Sequence, residues 1–439
     1  MYGIARRKRY NVRDLPTCPQ SAMRWLNRIF KRRGSASDFQ TRLRQAVEHV
    51  EVGESKRPLL AMSLDDAITH HQNLYYAYCK LSSKNSAAGP DGVTWDQLYI
   101  NLNDYLQNLS QQLKKSRHQR KPERVIEEPK PIGGIRYMVL QSTEDRLIDR
   151  ACAQCLSIAL DPTFSNLSFA YRPRRSCWHA LRKVRSLMRK GYHHWVICDI
   201  CDAFGSVSTP RLLDVLDSRL PSDKLKSLIS RRLANCPTGG LRQGSPLSPV
   251  MLNLYLDHFL DRPWVKLHPE TRLVRYADDI AIACRSYEEA VKCYEAIIIQ
   301  LRPHGMSIKE NAQQAIVELG AHPVSYLGFL VSMSSCGTCV TIGEKGLLHL
   351  EHSLAIANRK GCDDSMLNAL GGWLDYFGPA YKNENKHSIY AGIQAIFASL
   401  NRISIVPNKL RFFQEWELGY KRYISKVRKP LAEIRDSWF

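Results

Sequence analysis

The sequence predicts an α+β fold of two or three subdomains, on three observations. The chain has 439 residues, too many for one small core. Short apolar runs bounded by turn residues recur at 124–140, 195–200, 272–284 and 325–343, with helical patterns between them. From about residue 346 the pattern is helical and basic to the end, divided by Pro379, Pro407 and Pro430.

Each element follows in order. Residues 1–60 carry dense positive charge, including Arg6, Arg7, Lys8, Arg9, Arg32 and Arg33, with Trp25, Leu26, Ile29 and Phe30 interleaved at helical spacing. Two readings stay open there, a solvated helix docked on the body and a basic arm on RNA or DNA phosphates. Residues 61–120 read as mostly helical, broken by AAGPDGVTW at 87–95, where Gly89-Pro90-Asp91-Gly92 signals a turn before a new helix. RVIEEPKPIGGIRYMVL predicts a β-hairpin turning at Gly133-Gly134. A helix follows at about 142–160, and WVICDI at 195–200 predicts a buried central strand. Residues 248–262 predict a helix, RLVRYADDIAIAC a strand–turn–strand unit, and 286–302 a long helix. Residues 325–343 predict a small hairpin with Gly328 and Gly337 at turns or bulges.

Composition narrows the partners. The net charge is +21 and hydrophobic residues make up 44%. Such an excess of cations predicts a polyanionic partner, nucleic acid or an anionic surface. No apolar run approaches the roughly 18 residues that cross a bilayer. The basic N-terminus lacks the apolar stretch of a secretory signal. A cytoplasmic protein without a membrane partner is therefore expected. Thirteen cysteines include three CxxC pairs, Cys152/Cys155, Cys198/Cys201 and Cys336/Cys339. The first sits in a helical pattern and the second straddles opposite faces of a strand, leaving only CGTC as a possible metal knuckle. Reduced thiols are the expectation.

The chemistry lies in the carboxylates. Asp199 ends an apolar strand, and Asp278 and Asp279 sit at a hairpin tip. Alone, each acid reads as a turn former. Pairing of the two strands would bring Asp199 beside Asp278. Two carboxylates about 4 Å apart repel by roughly 4 kcal/mol at an effective dielectric of 20. A hard divalent cation relieves that repulsion, Mg²⁺ above all. Two such ions can activate a 3′-hydroxyl and stabilise a departing pyrophosphate.

The run YADD at 276–279 resembles the motif of reverse transcriptases. In the same order along the chain, AAGPDGVTW, FAYRPRRSCWHAL at 169–181, DICDAFGSV at 199–207, QGSPLSPVMLNLYLD at 243–257, YLGF at 326–329 and GGWLDYF at 371–377 resemble segments of the bacterial group II intron class. The resemblance covers about residues 85–380. It implies a right-hand polymerase, with a basic N-terminal extension at 1–60, fingers at 61–195, a palm at 196–345 and a helical thumb at 346–439. It also implies an RNA-directed DNA polymerase that uses two Mg²⁺ ions, with Mn²⁺ as a substitute.

Residue roles follow from the matched motifs. Asp199, Asp278 and Asp279 are the expected catalytic metal ligands, with the Ile200 carbonyl as an extra ligand. Asp202 and Ala203 would offer backbone N–H groups to the triphosphate. Phe204 stands at the aromatic gate that excludes a 2′-hydroxyl, and Gln243 at the position that orients the template–substrate pair. Lys130 and Arg136 flank the Gly-Gly turn and would converge on a triphosphate. Tyr326, Leu327 and Gly328 form the expected primer grip. Arg172 is a candidate nucleic-acid contact or a brace of the palm. The N-terminal arginines and Lys8 are candidate phosphate contacts.

Two departures stand out. The group usually carries Pro before the Gln of its QG motif, where this chain has Arg242. A Lys-Thr pair usual near the segment after the long helix is replaced by Ala312 and Gln313, and Lys309 is the nearby cation that could protonate pyrophosphate in its stead. No endonuclease motif is read before Phe439, so a free-standing enzyme is expected. The resemblance extends to the defence-associated reverse transcriptases, whose class 2 type copies a non-coding RNA. The expected partners are thus a structured RNA template, dNTPs and a DNA product. Two other functions stay open: an RNA-binding maturase-like scaffold with vestigial motifs, and template-independent or protein-primed synthesis.

Overall fold

The structure, a computed structural model, describes residues 63–428 apart from 83–87, 131–132, 336, 360 and 362. The expected N-terminal contacts Arg6, Arg7, Lys8, Arg9, Arg32 and Arg33 lie outside these residues.

Four helices open the described chain: α1 (Leu64–Thr69), α2 (His71–Ser82), α3 (Trp95–Tyr99) and α4 (Leu102–Lys114). Thr94 caps α3 with a reciprocal Thr94–Gln97 box, which explains why the helix restarts immediately after the Gly-Pro-Asp-Gly turn. A hairpin of β1 (Arg124–Pro129) and β2 (Ile135–Leu140) follows, turning through Gly133 and Gly134, both at positive φ. It leads into α5 (Thr143–Leu160), N-capped by Ser142.

The central sheet has the order β4-β5-β3-β6, all antiparallel, from β3 (His194–Asp199), β4 (Arg272–Tyr276), β5 (Asp279–Cys284) and β6 (Ile316–Glu318). Its strands alternate between two cores, as the two-residue period requires. Val196, Cys198, Ile280 and Ile282 face α5, α7 (Thr209–Arg219), α8 (Asp223–Leu233), α9 (Ser248–Leu256) and α11 (Tyr287–Leu301). Trp195, Val274, Ala281 and Ala283 face α6 (Cys177–Met188), a second sheet and the C-terminal helices. Both faces are covered, so the strands read as nearly continuous apolar runs. Between α9 and α10 (Arg262–Leu267) the helix widens into a π turn at Asp257–Asp261. A short α12 (Ala312–Ala315) precedes β6.

The second sheet is three-stranded, β7 (Val324–Tyr326), β8 (Phe329–Ser334) and β9 (Gly337–Ile342), one strand more than the expected hairpin. Helices α13 (Glu344–Arg359), α14 (Asp363–Tyr376), α15 (Lys386–Ser399) and α16 (Lys409–Arg428) complete the described chain. Indole and phenol hydrogen bonds tie them to α6, to one another and to the second sheet: Trp178 Nε1 of α6 donates to Tyr376 O at 2.8 Å, Trp373 Nε1 to Gly346 O at 2.8 Å, and Tyr376 Oη to Leu327 O in the β7–β8 turn at 2.9 Å. The α+β class is as expected. Among the described residues no helix is long and apolar enough to cross a membrane.

Candidate active site

The acidic turn is a two-residue hairpin loop. Tyr276 pairs with Asp279 across it, leaving Ala277 and Asp278 as the loop, with Ala277 at φ 59°. A positive φ at the first loop residue suits the twist of tight hairpins but is unfavourable for alanine. The surroundings hold it: the buried Arg275 guanidinium donates to Ala277 O at 2.9 Å, clasps Asp261 at 2.8 and 2.5 Å, and reaches Asn253 Oδ1 at 3.1 Å.

The register departs from the expected pairing. Asp199 stands directly opposite Asp279, not Asp278, because Asp279 is the first strand residue after the loop. Asp278 reaches the same place from the loop, with its carbonyl accepting from Ile200 N–H at 3.2 Å and its carboxyl near enough to that of Asp199 for the two charges to interact. All three carboxylates therefore share one corner. Burial first, and then the Asp199 charge, raise Asp278 to about 6 and Asp279 to about 7.

The segment before α12 closes the other side. Lys309 N donates to Asp199 O at 2.9 Å, Cys201 N to Ser307 O at 2.8 Å, and Glu310 Oε2 accepts from Asp199 N at 2.9 Å. The Lys309 ammonium contacts Asp199 Oδ2. Its burial alone would lower the Lys309 pKa, and the Asp199 carboxylate outweighs that and raises it. Ala312 and Gln313, where the group carries Lys-Thr, begin α12.

The donor set fits a hard divalent ion. Asp199 Oδ1 is buried without a hydrogen-bond partner, and the raised Asp278 and Asp279 are carboxyls that a nearby cation would ionise. Among the described residues no group of three or more His, Cys, Asp or Glu side chains is arranged to hold a metal ion by itself. Mg²⁺ characteristically takes one or two carboxylates and completes its shell with substrate phosphates and water, so an open corner suits it. Of the CGTC pair, Cys336 lies outside the described residues and Cys339 is half-buried.

The turn after β3 is built for close approach. Asp202 has φ 38° and is exposed, Ala203 is buried, and Phe204 is half-buried against the core of α7. Leu241 N donates to Phe204 O at 2.8 Å. Gly240, at φ 49°, lies so near that a Cβ would sit 2.3 Å from Phe204 O. Gly240→Ala is accordingly expected to displace the 202–205 turn at a stability loss of about 1–3 kcal/mol, measured by chemical denaturation. Gln243 O accepts from Val139 N at 2.8 Å, joining this region to the β1–β2 hairpin, while Gln243 Oε1 is buried and unpartnered. Lys130 and Arg136 are exposed on that hairpin, and the charge of Arg136 is felt at Tyr171 and at His349 of α13. Arg136 thus faces the gap between the acidic turn and the C-terminal helices.

Tyr326, Leu327 and Gly328 form a second tight turn, with Leu327 at φ 54° and Gly328 at φ 78°. Tyr326 is buried, and its hydroxyl donates to Val274 O at 3.2 Å on the strand leading to the acidic turn.

Two arginines are braces. Arg172, considered as a nucleic-acid contact, is 5% exposed and spends its donors on Asp161 Oδ1 at 2.7 Å, Ser165 O at 2.5 Å and Asp161 O at 2.9 Å. That expectation is corrected: no donor is turned to solvent. Arg242, the departure before Gln243, grips Glu123 at 2.8 Å and donates to Leu233 O at 3.1 Å and Ala234 O at 2.5 Å, so it holds the glycine loop on α8. Tyr171 is a neighbour the sequence reading passed over. It has φ 56° and only part of its side chain is covered; that partial burial, and then the charges of Asp278 and Asp279, raise its pKa.

Known proteins place this arrangement. The family Reverse transcriptase (RNA-dependent DNA polymerase) matches residues 120–331, which hold the hairpin, the acidic turn and the second tight turn. This stretch, just under half of the chain, is similar to reverse transcriptases. Relatives include the putative COX1/OXI3 intron 2 protein of Saccharomyces cerevisiae, 28% identical over 42% of this chain and 22% of that protein. The group II intron-encoded protein LtrA of Lactococcus lactis subsp. cremoris is 27% identical over 43% of this chain and 33% of its own length. The chain thus matches about a quarter to a third of these relatives. A solved partial Cas6-RT-Cas1--Cas2 complex is 24% identical, with 55% of this chain and 42% of that one covered and a TM-score of 0.34. The expected resemblance to the group II intron class agrees with these intron-encoded relatives.

Proposed function

We propose that the protein is an RNA-directed DNA polymerase that extends a 3′-hydroxyl with dNTPs. The observation that carries this reading is the shared corner of Asp199, Asp278 and Asp279, with Asp199 Oδ1 buried and unpartnered, inside the stretch that matches the reverse transcriptase family. Asp199, Asp278, Asp279 and the Ile200 carbonyl would hold two Mg²⁺ ions, for which Mn²⁺ would substitute. When bound, the ions supply Lewis acidity for the attacking and leaving oxygens. Everything else is positioning and charge. Lys130 and Arg136 draw in the triphosphate, and the backbone N–H groups of Asp202 and Ala203 receive it. Gln243 uses its unpartnered Oε1 on the template–substrate pair. Lys309 stays protonated at neutral pH and gives its proton to the leaving pyrophosphate. Tyr326, Leu327 and Gly328 hold the primer end. Residues 61–195, 196–345 and 346–439 serve as fingers, palm and thumb, with 1–60 as the basic extension.

Phe204 decides the sugar. Gly240 and Leu241 fix its backbone carbonyl, and its half-buried ring would lie beneath the ribose. Phe204→Ala is expected to improve the kcat/KM for ribonucleotides relative to deoxynucleotides by about 10–100-fold, the worth of removing a steric block of about 1–3 kcal/mol. Single-nucleotide incorporation on an RNA template measures this, and unchanged discrimination removes the gate role.

The template we propose is a structured non-coding RNA, copied in the cytoplasm during defence against phage. The resemblance to defence-associated reverse transcriptases supports this role. Plating efficiency across a phage panel, with intact and Asp278→Asn loci, tests it, and equal plaque counts on both would refute it.

A further inference from the structure

The segment between Asp161 and Asp199 contains no acidic residue, yet it carries eight lysines and arginines. Its middle is α6, which buries Ala180, Leu181, Val184, Leu187 and Met188 against the central sheet. The opposite face carries Arg182 and Lys183, and Arg189 and Lys190 follow in the turn directly after Met188, all four exposed. Arg182 reaches the Val427 carbonyl, and Lys426 of α16 lies over the Trp178 ring at 5.2 Å. The row therefore continues onto the C-terminal helix. Its other end meets Arg272, the first residue of β4, whose charge together with that of Lys190 acts on Lys183.

This ridge is not the catalytic corner. Arg272 starts β4 and pairs with Ala283, whereas the acidic turn follows Tyr276 at the other end of the strand. At about 3.3 Å per residue, the two ends are roughly 13 Å apart. Like charges packed without acids repel, and burial together with Lys190 and Arg272 lowers the pKa of Lys183. Among the described residues Lys183, Arg189 and Lys190 have no carboxylate partner. A phosphate backbone supplies the missing counter-charge along a row of this length.

We infer that the exposed face of α6, from Lys426 to Lys190 and Arg272, is a second RNA-binding ridge that holds the phosphates of template outside the catalytic cleft. The inference rests on the RNA-copying reading and adds where the rest of the template lies.

The test is the triple variant Lys183→Gln, Arg189→Gln, Lys190→Gln in the full chain. None of these side chains belongs to the buried face or to the acidic corner. Binding to a structured RNA is measured across salt concentrations in metal-free buffer, beside incorporation on a short primer–template confined to the cleft. Each lost phosphate contact lowers the slope of log K against log salt by about 0.7–0.9. The ridge predicts a slope reduced by about 2, at least tenfold weaker binding, and unchanged incorporation on the short substrate. The single reversal Lys190→Glu is expected to weaken binding in the same direction. An unchanged slope in both variants overturns the ridge. So does loss of binding to phosphatidylserine vesicles with RNA affinity intact, which would assign the face to a membrane. A wild-type protein that binds RNA with the steep slope but incorporates nothing sinks the polymerase reading and leaves the ridge standing.

Discussion

Replacing Asp278 and Asp279 together with asparagine is expected to reduce nucleotide incorporation by about three orders of magnitude or more, and at the same time to stabilise the metal-free protein near neutral pH. The first effect follows from removing most of the hard oxygen donors from a site whose rate depends on metal-borne charge stabilisation of several kcal/mol. The second follows from proton linkage. Unfolded, both carboxyls titrate near 3.8; folded, Asp278 rises to about 6 and Asp279 to about 7, through burial and the Asp199 charge. Between about pH 4 and 7 the folded state therefore binds more protons than the unfolded one, so stability falls as pH rises through that window. The loss is on the order of a few kcal/mol for the pair at neutral pH. Asparagine carries no charge and escapes it. Urea denaturation at pH 4 and pH 7.5 should show a fall for the wild type that the variant lacks. Added Mg²⁺ should restore the wild type alone, by binding only its folded state. A scaffold with vestigial motifs predicts instead that the variant keeps full biological activity.

Arg275→Ala is expected to cost about 3–5 kcal/mol of stability. Arg275 and Asp261 are both fully buried, and the guanidinium also holds Asn253 and the Ala277 carbonyl. Without it, Asp261 is left as a buried acid, already raised by burial against the pull of Arg275. Asp261→Asn in the same chain should recover part of the loss, so the two changes are expected to be non-additive in a double-mutant cycle followed by denaturation. Lysine is a poor replacement, since one ammonium cannot make the paired contacts to Asp261 and reach Ala277 as well. Activity should fall beyond the stability loss, because the Ala277–Asp278 loop loses the bond that holds its left-handed residue.

Much of the fold is legible in the sequence, for physical reasons. The strand around Asp199 and the hairpin around Asp278 are buried on both faces, and the resulting apolar runs are conspicuous. Glycines mark the β1–β2 turn, where both φ values are positive. Helices α6, α7 and α8 were not anticipated. Their apolar stripes are narrow and crowded with arginines, and only Pro210 and the Ser222 cap announce the last two. Asp199 and Asp278 do come together, but that Asp279 is the backbone partner of Asp199 is not legible in the apolar pattern, because loop length decides whether Asp279 ends the loop or starts the strand. Arg172 and Arg242 look like surface cations in sequence. Their partners Asp161 and Glu123 are identified only when the chain is folded.

The most direct measurement is extension of a labelled primer on a defined RNA template by the purified full chain, with dNTPs, in chelator and then with Mg²⁺ restored, beside Asp199→Asn. The account predicts templated DNA synthesis that stops in chelator, returns with Mg²⁺ and is lost in the variant. Synthesis that persists without divalent ions, or survives in Asp199→Asn, would contradict it.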